Sequence, residues 1–257
     1  MAISKIINIF YNRGGNKKKQ KINNPSDMLI NANTSFHVRE AYKAMRTNVM
    51  FSVPSEGCKV IGITSAVPSE GKSTTILNLA MTFAETGTRV LLIDADMRRP
   101  NIKKILKADI DDNKGLSDVL AKFIKVDDAI CLSASNNLDI IFSGNIPPNP
   151  VELLASDNMT DIIDELKTNY DYIFIDTPPI NVVTDATVLT RLLHGIILVA
   201  RENHSRKDEI AEALNKLQFV NAKVIGLVLN DKVYQSKRRS YYGKYKRYYK
   251  EYGSSYD

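Results

Sequence analysis

Cysteine is scarce. The 257 residues hold two, Cys58 and Cys131. Neither lies in a metal-ligand spacing, so a cysteine-based zinc site is excluded, and the pair fits free thiols in a reducing cytosol. Three histidines, His37, His194 and His204, are scattered along the chain and read as structural or surface groups. No apolar run approaches the ~18 residues that a spanning helix requires. The amino-terminal MAISKIINIF has a short apolar patch but no small-residue cleavage site, so no signal peptide is expected. There is no His-Arg-Asp loop and no Asp-Phe-Gly, which excludes a eukaryotic-type protein kinase.

At 44% hydrophobic, the chain can bury a real core, and its length suits one large domain with tails. Charge is uneven. Residues 1–23 carry six Lys/Arg and no acid, residues 234–257 carry seven Lys/Arg against Glu251 and Asp257, and the whole chain is +6. Two basic arms therefore flank a mildly acidic body, a pattern that suits either an anionic partner or a solubilising role. Three parts are expected. Residues 1–34 form a basic, largely irregular segment, in which Ile3, Ile6, Ile7 and Phe10 supply at most an amphipathic turn or two. Residues 35–233 form the folded domain, and residues 234–257 form a flexible basic tail.

One stretch organises the middle. An apolar run over 59–64 predicts a buried strand, and 73–86 predicts a helix. Between them lies Ala66-x-x-x-x-Gly71-Lys72-Ser73, a phosphate loop with Ala for the usual first Gly. Such a loop turns backbone N–H groups around phosphate oxygens, and the following helix points its positive end at the same place. Ala66, Ser69, Glu70, Gly71, Lys72, Ser73 and Thr74 are the candidate nucleotide-binding residues. Lys72 reaches the outer phosphates and the Ser73 hydroxyl ligates Mg²⁺.

From residue 59 onward strands and helices alternate. Strands are predicted at 59–64, 89–94, 138–142, 172–176, 195–200 and 223–229, and helices at 73–86, 101–107, 116–123, 150–168, 184–193 and 207–219. Near-continuous apolar strands alternating with helices predict an α/β fold, a parallel sheet with helices on both faces. Ligands bind outside the carboxyl ends of such strands. There the strands run into Asp94-Ala95-Asp96 and into Asp176-Thr177-Pro178-Pro179. Asp176 is the candidate to hold an Mg²⁺-bound water, and Asp94 and Asp96 can divide metal binding and proton acceptance. The alternative is that Asp94 and Asp96 cap the following turn and helix. Before the domain, residues 36–52 predict a helix with Ala41, Met45 and Val49 as its apolar stripe. Glu40, Lys43 and Arg46 lie at three-residue steps on another side.

Seven of the twelve tyrosines lie between 241 and 256: Tyr241, Tyr242, Tyr245, Tyr248, Tyr249, Tyr252 and Tyr256. With almost no aliphatic residue, the tail cannot form a core. It could stack on single-stranded nucleic acid, sit at a membrane interface, or carry hydroxyl substrates. Seven phosphates would add on the order of −10 to −14 charge and reverse the tail's sign.

Ala66-Val-Pro-Ser-Glu-Gly-Lys-Ser73, Leu91-Leu-Ile-Asp-Ala-Asp-Met-Arg-Arg-Pro100, Ile173-Phe-Ile-Asp-Thr-Pro-Pro179 and the tyrosine cluster resemble the bacterial tyrosine kinases of capsular and exopolysaccharide synthesis. The three segments match that family's Walker A, A′ and B motifs in order, and Ile146-Pro-Pro-Asn-Pro-Val-Glu-Leu-Leu154 resembles another of its stretches. The likeness spans roughly residues 36–257 and is of the short cytoplasmic, Gram-positive type. It implies a P-loop fold and tyrosine autokinase activity with ATP and Mg²⁺. Lys72, Asp94 and Asp96 would be catalytic, and Ser73, Asp94 and Asp176 would organise the metal. The tail of one subunit would enter its neighbour's site in a homo-oligomeric ring built by Glu40, Lys43 and Arg46. Lys43 stands where the family has Arg, keeping the charge without the planar fork. The implied partners are a transmembrane polysaccharide co-polymerase adaptor as activator and a cognate tyrosine phosphatase. Nucleic acid is not among them. The implied location is the cytoplasm, at the inner face of the membrane.

The rival reading is an ATPase of the partition and site-placing group, which resembles this chain in fold. The extra lysine of that group's loop is replaced here by Val67. A catalytically idle regulatory or nucleic-acid-binding module is opposed by the intact Lys72, Ser73, Asp94, Asp96 and Asp176 set.

Overall fold

The computed structural model describes residues 6–8, 29–31, 34–132 and 137–231. The seven tail tyrosines lie outside the described residues. Among the described residues, eight strands form one sheet: β1 (Ile6–Asn8), β2 (Lys59–Ser65), β3 (Val90–Asp94), β4 (Ile130–Leu132), β5 (Leu138–Ile141), β6 (Tyr172–Asp176), β7 (Gly195–Arg201) and β8 (Val224–Asn230). Their spatial order is β1-β8-β7-β2-β6-β3-β5-β4, and all neighbouring pairs are parallel except β4 with β5. The antiparallel edge strand β4 was not legible in the sequence. It has three residues, too few to establish a period.

The helices are α1 (Phe36–Met50), α2 (Lys72–Ala84), α3 (Ile102–Leu106), α4 (Leu116–Leu120), α5 (Val126–Ala129), α6 (Pro150–Ala155), α7 (Asp157–Leu166), α8 (Asp185–Leu189) and α9 (Lys207–Phe219). The continuous helix expected over 150–168 is two. Ser156 is extended (φ −67°, ψ 157°), ends α6 and caps α7 by accepting from the Met159 N–H. The helix expected at 184–193 is α8 followed by one 3-10 turn, Thr190–Leu192. That expected at 116–123 stops at Leu120, with α5 added after it.

The strands divide their side chains between two faces. On one face Val90, Leu92, Phe174, Ile61 and Ile63 pack under α1, α2 and α3, with Phe83 of α2 4.4 Å from Tyr172 and 5.2 Å from Phe174, ring centre to ring centre. On the other, Val60, Leu91, Ile93, Ile173 and Ile175 pack against α4, α6 and α7. A third cluster joins Ile196 and Leu198 to Ala213 and Leu217 of α9. The buried stripe of α1 is Val38, Tyr42, Met45 and Val49, whereas Ala41 is only half-buried. The 3.6-residue period placed Met45 and Val49 correctly, but the large residues at 38 and 42 fill the groove better than alanine at 41.

The amino-terminal segment is not irregular throughout. Ile6–Asn8 extend the sheet beside β8, in place of the amphipathic turn expected around them. Further on, Leu29 and Ile30 pack against the core, and the Ile30 N–H donates to Asn78 Oδ1 of α2 at 2.9 Å. Among the described residues, no helix is long and apolar enough to cross a membrane. Both cysteines are free thiols.

The order of the central strands builds the site. The chain leaves β2, crosses over and returns as β3 one position beyond its neighbour, and β6 later fills the gap. Asp176 closing β6 is therefore flanked by Ile63 of β2 and by Asp94 at the end of β3. Three segments far apart in sequence end side by side at the carboxyl edge.

Candidate active site

The phosphate loop joins β2 to α2. Two residues hold left-handed backbone, Ser69 (φ 66°) and Gly71 (φ 89°). Gly71 precedes the first residue of α2, and a Cβ added there would stand 2.1 Å from Asn230 Nδ2. Glycine is required on both counts. The Glu70 side chain is fully buried and turned into the loop. Its Oε2 accepts from the Val67 N–H at 3.0 Å and its Oε1 from the Ser205 hydroxyl. Burial raises its pKa against these hydrogen bonds. Of the expected nucleotide-binding residues, Glu70 thus commits its carboxylate to the loop itself.

Lys72 and Ser73 open α2 and are both buried. Lys72 Nζ lies 2.7 Å from Asp96 Oδ2, 3.4 Å from Asp176 Oδ1 and 3.3 Å from Ser73 Oγ. Burial pulls the ammonium's pKa down, but Asp176 and Asp96 outweigh it and hold it above the ordinary lysine value. The structure therefore brings Lys72, Ser73, Asp94, Asp96 and Asp176 together, as the motifs predict.

The acids do more than surround Lys72. Asp94 Oδ1 accepts from the Asp96 N–H (3.2 Å) and its Oδ2 from the Ile102 N–H (3.4 Å), while Asp96 Oδ1 accepts from the Arg99 N–H (3.1 Å). Capping and site-building, weighed as alternatives in the sequence, coexist. Burial, then the charge of Asp176, pushes the Asp94 pKa up to about 8. Burial also raises that of Asp176. Three buried carboxylates face one lysine, so the site is short of positive charge. Asp176 Oδ2, moreover, is buried with no hydrogen-bond partner. An acceptor left over among three buried carboxylates fits a hydrated Mg²⁺.

Sequence reasoning missed several supporting residues. Arg98 Nε and Nη2 meet Asp185 Oδ2 and Oδ1 at 2.9 and 3.1 Å, tying the loop that carries Asp96 to the first turn of α8. Asp185 is fully buried. Arg201, His204, Ser205 and Asn230 all touch the phosphate loop. Only long-range pairing brings them there, so no local spacing marks them. On α1, Lys43 pairs with Glu40 at 2.8 Å. Arg46 Nη1 donates to the Thr82 carbonyl near the end of α2 at 2.6 Å. Glu40 and Lys43 thus pair within α1, Arg46 reaches α2, and none of the three joins the carboxylate cluster.

Residues 58–226 match a protein family described as AAA domain. Over 206 residues the chain is 39% identical to tyrosine-protein kinase YwqD of Bacillus subtilis (strain 168), covering 80% of this chain and 85% of that one. This chain belongs to the bacterial tyrosine kinases. The kinase is similar in structure to the chimerical protein CapA2B2, with a TM-score of 0.75 and 35% identity over 81% of this chain and 91% of that one. It is less similar to the septum site-determining protein MinD of Pyrococcus horikoshii OT3, complexed with Mg-ADP, at TM-score 0.57 and 27% identity over 72% of each chain. The weaker likeness is to the site-placing group, so the kinase reading has the better support. The enzyme is a tyrosine kinase on a P-loop fold.

Proposed function

We propose that this kinase transfers the terminal phosphoryl group of ATP to Tyr241, Tyr242, Tyr245, Tyr248, Tyr249, Tyr252 and Tyr256 of a neighbouring copy. The observation that carries the reading is the buried cluster of Lys72, Asp94, Asp96 and Asp176 at the mouth of a phosphate loop. The loop N–H groups and Lys72 hold the phosphates and stabilise the charge that spreads over the transferred group. Ser73, Asp94 and Asp176 would hold Mg²⁺. When bound, the ion supplies charge neutralisation at the outer phosphates. Asp96 accepts the proton of the phenol as the tyrosine oxygen bonds to phosphorus and the bond to the ADP oxygen breaks. Moving Lys72 from the carboxylates to phosphate leaves Asp96 free to accept it.

The reading extends to the cell. Glu40, Lys43 and Arg46 assemble a ring, and a transmembrane adaptor recruits the kinase to the inner face of the membrane and activates it. A tyrosine phosphatase reverses the modification, which governs capsular or exopolysaccharide synthesis and export. The resemblance of the motifs to the family supports these assignments.

The direct test replaces all seven tail tyrosines by Phe in the full chain and follows phosphotyrosine after incubation with MgATP. Most of the signal is expected to vanish while ATP binding stays at the parent value. An unchanged signal would move the acceptor elsewhere.

A further inference from the structure

Three successive carbonyls of the phosphate loop are each held from outside by one side chain. The His204 ring Nε2 lies 3.0 Å from the Pro68 oxygen. Arg201 Nη1 donates to the Ser69 oxygen at 3.2 Å, and Asn230 Nδ2 to the Glu70 oxygen at 3.0 Å. All three partners come from the carboxyl ends of β7 and β8 or the turn after β7, on the opposite side of β2 from the catalytic carboxylates. A trans peptide is planar, so fixing a carbonyl outward fixes the next residue's N–H inward. Holding the oxygens of 68, 69 and 70 thereby turns the N–H groups of Ser69, Glu70 and Gly71 away from those partners.

A second line of contacts locks the same turn. The Arg201 N–H donates to Ser205 Oγ at 2.6 Å, the Ser205 hydroxyl reaches Glu70 Oε1, and Glu70 Oε2 accepts from Val67. Arg201 is itself fixed by Asp231, with Nη2 2.9 Å and Nε 3.2 Å from Oδ2. Ser69, left-handed without being glycine, is the residue such a brace must restrain, since a non-glycine residue leaves that backbone region readily.

We infer that Arg201, Ser205 and Glu70 are positioning residues that preorganise the phosphate loop for the phosphates of the nucleotide. The inference rests on nucleotide binding at this loop, as the proposed function has it. Preorganised donors cost no ordering when the ligand arrives, so their loss weakens binding of the phosphates and leaves the sheet unchanged.

The test measures ADP affinity of the full-length chain by calorimetry, with ATP KM, kcat and thermal midpoint alongside, for the parent, Ser205→Ala, Ser205→Thr and Arg201→Lys. Ser205→Ala is expected to weaken ADP roughly tenfold, the size of one lost charge-assisted hydrogen bond, and to raise KM in step with little change in kcat. Ser205→Thr retains the hydroxyl and is expected to restore affinity. Arg201→Lys, which loses the fork, is expected to fall between. ADP affinity of Ser205→Ala equal to the parent's would overturn the inference. So would weakening by Ser205→Thr as large as by Ser205→Ala, or loss of affinity only in step with a lowered thermal midpoint. Failure of the parent itself to bind ADP would instead overturn the underlying assignment of the loop.

Discussion

Lys72 is the cation that touches both Asp96 and Asp176. Replacing it by Met leaves three buried carboxylates without that counter-charge, and they take up protons to compensate. Lys72→Met is therefore expected to abolish phosphoryl transfer while far-ultraviolet circular dichroism stays at the parent spectrum. Labelled phosphate still reaching tyrosine in the purified variant would contradict the assignment. A second residue makes a pH prediction. His194 Nδ1 accepts the Val60 N–H at 2.9 Å, and burial with Lys167, Lys59 and Lys223 holds its pKa below the ordinary imidazole value. The unfolded chain therefore takes up this proton first, so His194 favours the fold above about pH 6.5 and loses that contribution as pH falls through it. Denaturant midpoints at about pH 7.5 and 5.5 are expected to differ less in His194→Gln than in the parent. An equal drop in both would remove His194 from the balance. The cluster of Lys72, Asp94, Asp96 and Asp176 was legible because its members lie in short contiguous motifs, at or just past a strand end or at the start of a helix. His194 and Ser205 were not, since each acts on a strand or loop more than a hundred residues away in the chain.

Among elements, the short connection after β3 carries Asp96. It is held by Asp94 beneath it and by Arg98 reaching α8. Asp185 is fully buried while Arg98 keeps about two-fifths of its side chain exposed, so breaking the pair strands a buried carboxylate more than it frees an arginine. Arg98→Ala is expected to cost about 1–3 kcal/mol of stability, the penalty of an unsatisfied buried group. It should also slow transfer, because Asp96 loses an anchor of its loop. Urea unfolding and initial rates check the two effects; a variant with parent values in both would show that the loop stands without Arg98. Local signals located these elements but not their breaks. Ser156 stops a helix that the apolar pattern carries through, because the pattern is shared by α6 and α7, and only the cap geometry distinguishes them. The parallel order was implied by apolar strands alternating with helices. The insertion of β6 between β2 and β3, which brings Asp94 and Asp176 together, follows from the packing of the whole sheet.

At the scale of the molecule, the proposed phosphorylation of the tail can run within one chain or between copies. The described chain ends at Asp231, fastened to Arg201 at the end of β7, whereas Asp96 follows β3. Four strand spacings separate β8 from β3, about 19 Å at the usual distance between strands. Tyr241 is ten residues past Asp231, a span of at most about 35 Å when extended. Reach therefore permits a chain's own tail, but the way from β8 to β3 crosses β2, whose end carries the phosphate loop. A tail arriving from a neighbour avoids that crossing. Transfer between copies makes the rate per molecule rise with protein concentration, whereas transfer within one chain keeps it constant. Mixing is the sharper measurement. Lys72→Met with an intact tail, incubated with a parent kinase whose seven tail tyrosines are Phe, is expected to become phosphorylated although neither protein can label itself. Absence of label on the Lys72→Met tail, with both proteins folded and the Phe variant still binding ATP, would confine transfer to a single chain.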